Sequence, residues 1–409
     1  MAGIRAGGAS GVSGVNLLSL RSHNAALLLD LLRRAGRAGV SRLELAERTG
    51  LTPQAVSKIT ARLREDGLVT EAGRQASTGG KPRTVLRLVP EAGYAVGLHV
   101  DRDELRAVLV DLTGAVVTER RAALDLGAGA EAVLGTVVNE ARVLVEGLVE
   151  GLMEGVVEGL AGAQPPPADG LPHPDTQRHP SAQPPPDTKS TVLGVGVAMP
   201  GPLDHTHGVL HRVTGFPEWD GFPLRDALAR RLGVPVVLDK DTNAAALGLA
   251  VGGEAGAFAY LHLGTGLGAG LVLDGAVRRG ARTGAGEFGH QVIQLDGPPC
   301  PCGNRGCVEA LCLAAVARGD IDEAARVLGE GAANVVGLLD IDLVLLGGRT
   351  VAAAPERFVR GVGAVLDAHA RRAGASSPVP VRIAPGGARA VAEGAAQLLL
   401  APLFGRAQG

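Results

Sequence analysis

The four cysteines of the chain lie within thirteen residues, in and just after the stretch GAGEFGHQVIQLDGPPCPCGNRGCVE. So tight a cluster cannot be the disulfide framework of a chain of 409 residues, and it indicates metal binding in a reducing compartment. Free buried thiols are the alternative, but the intervening Pro and Gly residues leave no helix or strand on which they could pack. Cys312 falls on a following helix and is expected to be a small buried apolar residue. One imidazole and three thiolates are the usual ligand set of a closed tetrahedral zinc site, here His290, Cys300, Cys302 and Cys307.

The composition places this metal site in a globular protein. Apolar residues make up 46% of the chain, which excludes a wholly disordered protein and suffices for roughly two to four domains. No uninterrupted apolar run of about 18 residues is present. The start, MAGIRAGGASGVSG, has no apolar core of signal-peptide length. We therefore expect a soluble cytoplasmic protein without a membrane segment.

The first ninety residues predict three helices followed by a hairpin. An apolar helical face runs over HNAALLLDLLRR. Ser41 with Glu44 forms a capping box for a second helix, and Thr52 caps a third with Pro53 at its first position. Two short helices around a Gly-containing turn are typical of a helix-turn-helix. The strand-like runs on either side of GRQASTGGKPR complete a winged helix.

The charge of this segment indicates a nucleic-acid partner. Residues 1–90 carry fourteen Lys and Arg against six Asp and Glu, whereas the rest of the chain is acidic. A winged helix that binds protein is the alternative, which the basic surplus disfavours. Third-helix side chains that the core does not need, Thr60 and Ala61 among them, are free to enter a major groove, and basic hairpin residues can reach phosphates. The predicted contacts to a double-stranded DNA operator are Thr52, Gln54, Ser57, Lys58, Arg62, Lys81 and Arg83.

After Pro90 the pattern changes to apolar strands and helices, which predicts an α/β domain. Segment 131–160 is helical, with glutamates four residues apart, and is expected to be an amphipathic helix with a solvated acidic face. The Pro-rich segment 163–189 cannot bury enough apolar surface to fold, so it is expected to be a disordered insert.

Three stretches of the α/β part have compositions suited to ligand binding. VLGVGVAMPGPLD ends a buried strand in a Gly/Pro turn, where backbone can approach a ligand. LDKDTNAAALGLA delivers Asp241 to the carboxyl end of a strand, where α/β sheets place their ligands. YLHLGTGLGAGLVL places a Gly-rich turn between two strands, and the amides of that turn could cradle phosphate. Taken singly, each loop is equally consistent with a tight turn that binds nothing.

Together these motifs resemble the ROK family, named for repressors, open reading frames and sugar kinases. The string CPCGNRGCVE at 300–309 is close to diagnostic for that family, and the similarity covers residues 91–400 apart from the insert. The resemblance implies a duplicated actin-like, ribonuclease-H-like α/β fold behind the winged helix, the arrangement of the family's transcriptional repressors. It also implies that Asp241 matches the general base of ROK kinases and that Glu287, His290 and Glu309 contact the sugar. Zinc on one ring nitrogen of His290 would then orient the other.

The sequence departs from the ROK kinases on the nucleotide side. The family's phosphate motif, GIDIGGTK, aligns with GLHVDRDE, so His99 replaces the strand-end Asp and Asp101-Arg102-Asp103 replaces the Gly-Gly-Thr turn. Two carboxylates and bulky side chains would repel and obstruct nucleotide phosphate, so Asp241 is expected to be a vestigial base and no catalytic residue to be active. On the sugar side, Lys240 and Gly215 replace asparagines, and the interval after Glu309 is shorter than in the family.

We interpret the chain as a DNA-binding transcriptional regulator, a repressor, that senses a sugar or sugar derivative without kinase activity and acts as a homodimer or homotetramer. The alternatives are a ligand-independent ROK regulator and an active ATP-dependent sugar kinase. The expected organisation is a disordered N-terminus at 1–22, a winged helix-turn-helix at 23–90, a first ROK lobe at 91–250 with the insert 163–189, and a second ROK lobe at 251–409 with the structural zinc site and C-terminal helices.

Overall fold

A computed structural model describes residues 23–75, 83–161, 192–213 and 215–406. The expectations for segment 1–22, for Lys81 and for the insert 163–189 lie outside the described residues. The described chain forms two compact units, one made of the residues up to Gly93 together with Leu403–Gly405 and one extending from Tyr94 to Pro402. Among the described helices, none combines the length and apolar character of a membrane span.

The N-terminal unit packs three helices against a small antiparallel sheet. Ser41 and Thr52 cap the second and third helices as predicted, because the side-chain oxygen of each accepts the N–H of the residue three positions later. Leu28, Leu45 and Leu63 are fully buried in its core. The predicted winged helix-turn-helix is confirmed. Its helices are α1 (His23–Ala35), α2 (Arg42–Thr49) and α3 (Pro53–Glu65), and its strands in spatial order are β1 (Val40–Ser41), β3 (Arg83–Leu88) and β2 (Val69–Gln75).

The larger unit begins with a five-stranded sheet that forms the first lobe. In spatial order its strands are β10 (Val236–Lys240), β7 (Val192–Met199), β4 (Tyr94–Val100), β5 (Glu104–Asp111) and β6 (Val116–Ala123). β4, β5 and β6 pair antiparallel, whereas β7 and β10 run parallel to β4. The lobe also contains α4 (Ala130–Ala161), α5 (Leu224–Leu232) and a ribbon of β8 (Leu203–Asp204) and β9 (Val209–Leu210).

The second lobe repeats this arrangement. Its strands in spatial order are β13 (Ala276–Val277), β12 (Leu267–Leu273), β11 (Phe258–Leu263), β14 (Leu343–Gly347) and β15 (Val381–Ile383). Again three antiparallel strands are extended by two parallel ones. The predicted duplicated α/β fold is therefore confirmed. The helices of this half are α6 (Asp241–Gly252), α7 (Val308–Ala317), α8 (Ile321–Leu339), α9 (Arg349–Ala353), α10 (Pro355–Ala373) and α11 (Ala390–Leu400).

Helices α6 and α11 pack against each other and against the two sheets. A Cβ on Gly394 would lie 2.0 Å from the carbonyl oxygen of Ala244, and a Cβ on Gly97 would lie 2.0 Å from that of Ala392. Only glycine permits these approaches. Because α6 starts directly after β10, this packing fixes the position of Asp241 at the end of the first-lobe sheet.

Candidate functional site

A cavity of about 560 Å³ lies between the two lobes of the larger unit. All four residues expected to contact a sugar, Asp241, Glu287, His290 and Glu309, line it. They come from the start of α6, from the loop after β13 and from the first turn of α7. The structure thus brings together residues that are far apart in the sequence, as the family resemblance implies.

Asp241 is held in a position that disfavours its charge. Its Oδ1 accepts the N–H of Thr242 at 2.7 Å. The pKa of the Asp241 carboxyl is raised to about 7, mainly by burial; the hydrogen bond from the Thr242 N–H and the charge of Lys240 lower it, while the carboxylates of Asp101 and Glu287 raise it. A carboxyl with such a pKa can accept or donate a hydrogen bond near neutral pH, which suits a group that meets a ligand hydroxyl.

Lys240, expected on the sugar side only as a replacement of an asparagine, lines the cavity with contacts that the sequence did not predict. Its side chain is only 4% exposed, and its Nζ donates to Glu287 Oε1 at 3.0 Å and to the Ala285 carbonyl oxygen at 2.5 Å. Glu287 is therefore ion-paired with Lys240 as well as lining the cavity. The one available signal was a basic residue at the end of a strand, directly before Asp241.

Glu309 holds the Gly-rich turn between β11 and β12. Its side chain accepts the N–H of Leu267 through Oε2 at 2.7 Å, and the residue is buried. A carboxylate fixed in this way keeps its other lone pairs for donors on a ligand. The predicted sugar contact is thus also a structural support of the cavity wall.

The predicted metal ligands converge. The donor atoms of His290, Cys300, Cys302 and Cys307 all lie within 4.8 Å of one another. His290 Nδ1 is 3.7 Å from Cys300 Sγ, and the Sγ atoms of Cys302 and Cys307 are also 3.7 Å apart. Zinc–sulfur bonds of about 2.3 Å in a tetrahedron require sulfur atoms about 3.8 Å apart, so the donor set fits zinc. With Nδ1 turned toward the thiols, Nε2 of His290 is left for a ligand.

The backbone of the cysteine loop, residues 298–307, is closed by its own hydrogen bonds. Cys300 N–H donates to the Asn304 carbonyl oxygen at 2.8 Å, and Gly306 N–H donates to that of Pro298 at 2.8 Å. Gly306 has a φ of +64°, and a Cβ there would lie 1.6 Å from the Gln294 carbonyl oxygen. Cys312 lies outside the cluster, fully buried on α7 as predicted.

The turn between β4 and β5, Asp101-Arg102-Asp103, ties the first lobe to the second. Asp101 Oδ1 accepts the hydroxyl of Thr265 at 3.0 Å. Both carboxylate oxygens of Asp103 accept from Arg349 Nη1, at 3.0 and 2.8 Å. Thr265 and Arg349 belong to the two glycine-rich turns of the second lobe. The two aspartates therefore bind these turns directly.

His99 lies behind this turn in a buried position. Burial, together with neighbouring His262, lowers the pKa of His99 to about 4, so its ring is neutral at physiological pH. The ring of His262 is edge-on to it, and Tyr260 OH lies 2.8 Å from His262 Nδ1. Strand β4 thus carries a neutral buried imidazole next to its last residue.

The candidate DNA-binding surface is the exposed face of α3. Gln54, Ser57, Lys58 and Arg62 are exposed there. The expectation that Thr60 is free for DNA is wrong, because the residue is fully buried and its hydroxyl donates to the Val56 carbonyl oxygen at 2.8 Å. The periodicity did not show this, since a threonine can satisfy its hydroxyl within the helix.

The remaining predicted DNA contacts are only partly described. The hydroxyl oxygen of Thr52 accepts the N–H of Ala55 at 3.2 Å, so its first role is to cap α3. Arg83 begins β3, but its side chain lies outside the described residues, as does all of Lys81. The described structure therefore supports the α3 face and leaves the tip of the wing as a prediction.

Two family models match the chain. The ROK family model matches residues 183–317, and a model of winged helix-turn-helix DNA-binding domains matches residues 27–70. The xylose repressor of Caldicellulosiruptor bescii is 28% identical over 66% of this chain and 59% of the repressor. The glucokinase of Thermotoga maritima is 41% identical over 30% of this chain and 40% of the kinase. The chain thus spans less than two thirds of the length of these two relatives.

A solved structure shares the fold of the described chain. The crystal structure of a ROK family transcriptional regulator, a homolog of the Escherichia coli MLC protein, has a TM-score of 0.67 and 21% identity. The match covers 94% of this chain and 97% of that one, and it shows the fold. The family matches and the fold agree with the cysteine motif. The chain therefore carries a ROK family domain preceded by a winged helix-turn-helix DNA-binding domain.

Proposed function

We propose that the protein is a DNA-binding transcriptional repressor that responds to a sugar or sugar derivative and has no kinase activity. The observation that carries this proposal is the contrast between two sides of one cavity. The sugar side keeps Asp241, His290 and Glu309 along its wall, whereas the turn on the phosphate side carries two aspartates bound to the opposite lobe. Relatives named as xylose repressors support the regulatory role.

The DNA-binding part of the proposal rests on α3. Its exposed amide, hydroxyl and basic side chains are the types that contact base edges and phosphates in a major groove. A homodimer or homotetramer would present paired winged helices to a two-fold operator. A ligand that binds one arrangement of the ROK lobes better than another would shift the population of that arrangement, and with it the affinity for the operator.

The cluster of His290 and the three cysteines fixes the orientation of the histidine ring that contacts the ligand. His290, Cys300, Cys302 and Cys307 would hold a structural zinc ion, which contributes four bonds that fix the loop and no step of a reaction. With Nδ1 committed to this cluster, the ring of His290 has one defined orientation. Nε2 then meets the ligand at a set angle, which favours a ligand hydroxyl in one position over its epimer.

The expected absence of kinase activity rests on the charges of the other cavity wall. Phosphoryl transfer is mostly positioning and charge neutralisation of the nucleotide phosphates. Asp101 and Asp103 add negative charge there, and both are already bound to residues of the second lobe. A nucleotide would have to displace these bonds, and Arg102 is the one cation of this turn that could offset the charge of its phosphates.

The proposal is tested with an operator selected by the full-length protein from a random DNA pool. Fluorescence anisotropy of that operator is measured with and without D-xylose, D-glucose and N-acetyl-D-glucosamine, each with its phosphate ester. We expect at least one sugar to release the DNA without ATP. Asp241→Asn should reduce the response to the sugar, while the exposed Asp226→Asn serves as a matched control. Failure to select any DNA sequence would contradict the proposal.

A further inference from the structure

Arg102 is the middle residue of the Asp101–Asp103 turn, and its side chain lines the cavity. Its backbone is fixed, because its N–H donates to Asp101 Oδ1 at 2.7 Å and its carbonyl oxygen accepts from Leu126 at 2.9 Å. The guanidinium carbon lies 5.8 Å from the centre of the Phe216 ring. Within the described part of the chain, Arg102 forms no ion pair, in contrast to Lys240 and Arg349.

The opposite wall at this point is the Gly-rich turn of the second lobe. Arg102 Nη2 lies 3.8 Å from the point that a Cβ on Gly266 would occupy, so guanidinium and turn face each other closely. No acceptor among the described residues takes the N–H of Thr265 or Gly266, and both residues are partly exposed to the cavity. A guanidinium facing free backbone N–H groups is a typical anion-binding arrangement in proteins.

The carboxylates near Arg102 are already engaged. Asp101 is bound to the Thr265 hydroxyl and to the N–H of Arg102, and Asp103 is paired with Arg349. Glu309 Oε2, which accepts from Leu267, lies 3.1 Å from the same Cβ point on Gly266. Hydroxyl-binding and anion-binding groups therefore stand side by side along one wall of the cavity.

We propose that the effector is a sugar with an anionic substituent, a phosphate ester or a carboxylate, and that Arg102 binds this substituent. This inference rests on the proposed function and narrows its ligand class. The sugar hydroxyls meet Asp241, His290 and Glu309. The anionic group lies between the Arg102 guanidinium and the N–H groups of the Gly-rich turn. The turn that stands where a ROK kinase has its phosphate-binding motif thus supplies the cation that selects the ligand.

The test is titration calorimetry of the full-length protein with matched ligands. D-glucose is compared with glucose 6-phosphate, N-acetyl-D-glucosamine with its 6-phosphate, and D-glucose with D-glucuronate, so that phosphate and carboxylate are separate arms. We expect an anionic member to bind at least about tenfold more tightly than its neutral parent, the scale of one charge-assisted hydrogen bond. Arg102→Gln should abolish this advantage, and Arg102→Lys should restore part of it.

Arg212→Gln is the matched control. Arg212 also lines the cavity, but it is 85% exposed and lies 3.6 Å from Asp220, so its loss should leave the advantage in place. Equal binding of neutral and anionic partners, or an advantage that survives Arg102→Gln, would overturn the assignment of Arg102 and leave the proposed function standing. Failure of every sugar, neutral or anionic, to bind the DNA-binding protein would overturn both.

Discussion

At the scale of single residues, the burial of Asp241 makes the stability of the protein depend on pH. Its pKa of about 7 in the folded protein exceeds the ordinary 3.8, so the folded state holds the proton more tightly than the unfolded state. The free-energy cost of burying the ionised Asp241 carboxylate therefore appears as the pH rises above the ordinary pKa of 3.8, and it is complete above about pH 7. Asp241→Asn removes that cost. We expect its free energy of unfolding, relative to wild type, to rise by on the order of 2 kcal/mol between about pH 5 and about pH 8.

Urea denaturation at several pH values measures this difference. Asp226→Asn, an exposed aspartate on α5, should show no such trend. A gap between Asp241→Asn and wild type that stays constant over this range would mean that Asp241 ionises as freely as a surface carboxyl.

A second residue-scale prediction concerns the ion pair beneath Asp241. Arg279 Nε donates to Asp239 Oδ2 at 2.6 Å, and both side chains are 2% exposed. Asp239 also accepts from the Asn243 amide at 2.9 Å, one turn into α6. Arg279→Met leaves a buried carboxylate without its partner, which should lower the free energy of unfolding by about 3 kcal/mol or more.

The neighbouring Arg278 provides the control. It pairs with Asp274, which is 88% exposed, so Arg278→Met should change stability by less than about 1 kcal/mol. Chemical denaturation of both variants gives the comparison. Similar losses in the two would contradict the role assigned to the buried pair.

What the sequence could predict at this scale depended on whether a residue acts through its own chemistry or through its neighbours. His290 could be identified because an imidazole near three thiols is recognisable alone, whereas the strand-end carboxylate Asp241 could be identified only with the help of the family resemblance. The ion pairs of Lys240 and Arg279 could not be predicted, because the fold alone brings Glu287 and Asp239 to them. The buried Thr60 was misplaced for the same reason, since its burial depends on packing within the N-terminal unit.

At the scale of elements, we expect a bound zinc ion to stabilise the closed conformation of the cysteine loop, residues 298–307. We expect about one zinc per chain, lost in Cys302→Ser together with several degrees of melting temperature, because structural zinc contributes directly to folding. Cys312→Ala removes the fourth thiol, which lies outside the cluster, and should retain the metal. Elemental analysis and melting curves with and without chelator test this. The zinc assignment would be contradicted if the purified protein contained no zinc and its melting curve did not change when a chelator is added.

Helix α3 makes a separate prediction for DNA. Lys58 is exposed on it, so Lys58→Ala should weaken binding to all sequences alike and reduce the slope of log affinity against log salt by about 1. Gln54→Ala should instead change the preference among sequences. Arg37→Ala removes the same charge from an exposed site outside α3 and is the control. Anisotropy titrations at several salt concentrations distinguish these outcomes, and an unchanged slope for Lys58→Ala would remove α3 from the interface.

Elements were the easiest scale to predict. Capping residues fixed the starts of α2 and α3, since Ser41 and Thr52 each satisfy a backbone N–H that the helix leaves free. The strands around the Gly-rich turn at 264–266 followed from apolar runs on both sides. Strand β1 was missed because two residues, Val40 and Ser41, are too few to show a period, and only pairing with β3 defines them.

At the scale of the whole molecule, the duplicated sheets show why the fold could be predicted from a resemblance and not from composition. Nothing local in the sequence specifies that β7 joins β4 across a long insertion, or that β14 joins β11. These pairings set the two glycine-rich turns opposite the Asp101–Asp103 turn. The bonds that result, Asp101 to Thr265 and Asp103 to Arg349, span 164 and 246 residues of sequence.

These bonds between the lobes lead to the last prediction, that a sugar acts without ATP turnover. Asp103 and Arg349 are each about half exposed, so their pair contributes little to stability. Its importance lies in position: nucleotide phosphate must either break it or lie beside the aspartates. At an effective dielectric constant near 20, a like-charge contact at about 4 Å costs roughly 4 kcal/mol, enough to oppose binding of ATP at millimolar concentration unless Mg²⁺ or Arg102 offsets it.

A coupled assay for ADP, run with the sugar that releases DNA, measures turnover directly, and calorimetry measures ATP binding. We expect neither signal, and we expect operator release to be the same with and without ATP. Removing the charge alone, in Asp101→Asn with Asp103→Asn, should leave turnover absent, because the bulky side chains still fill the place of a phosphate-binding glycine turn. An ATP-dependent phosphorylated product that disappears in Asp241→Asn would instead show that Asp241 is an active base, and the protein would be an enzyme as well as a regulator.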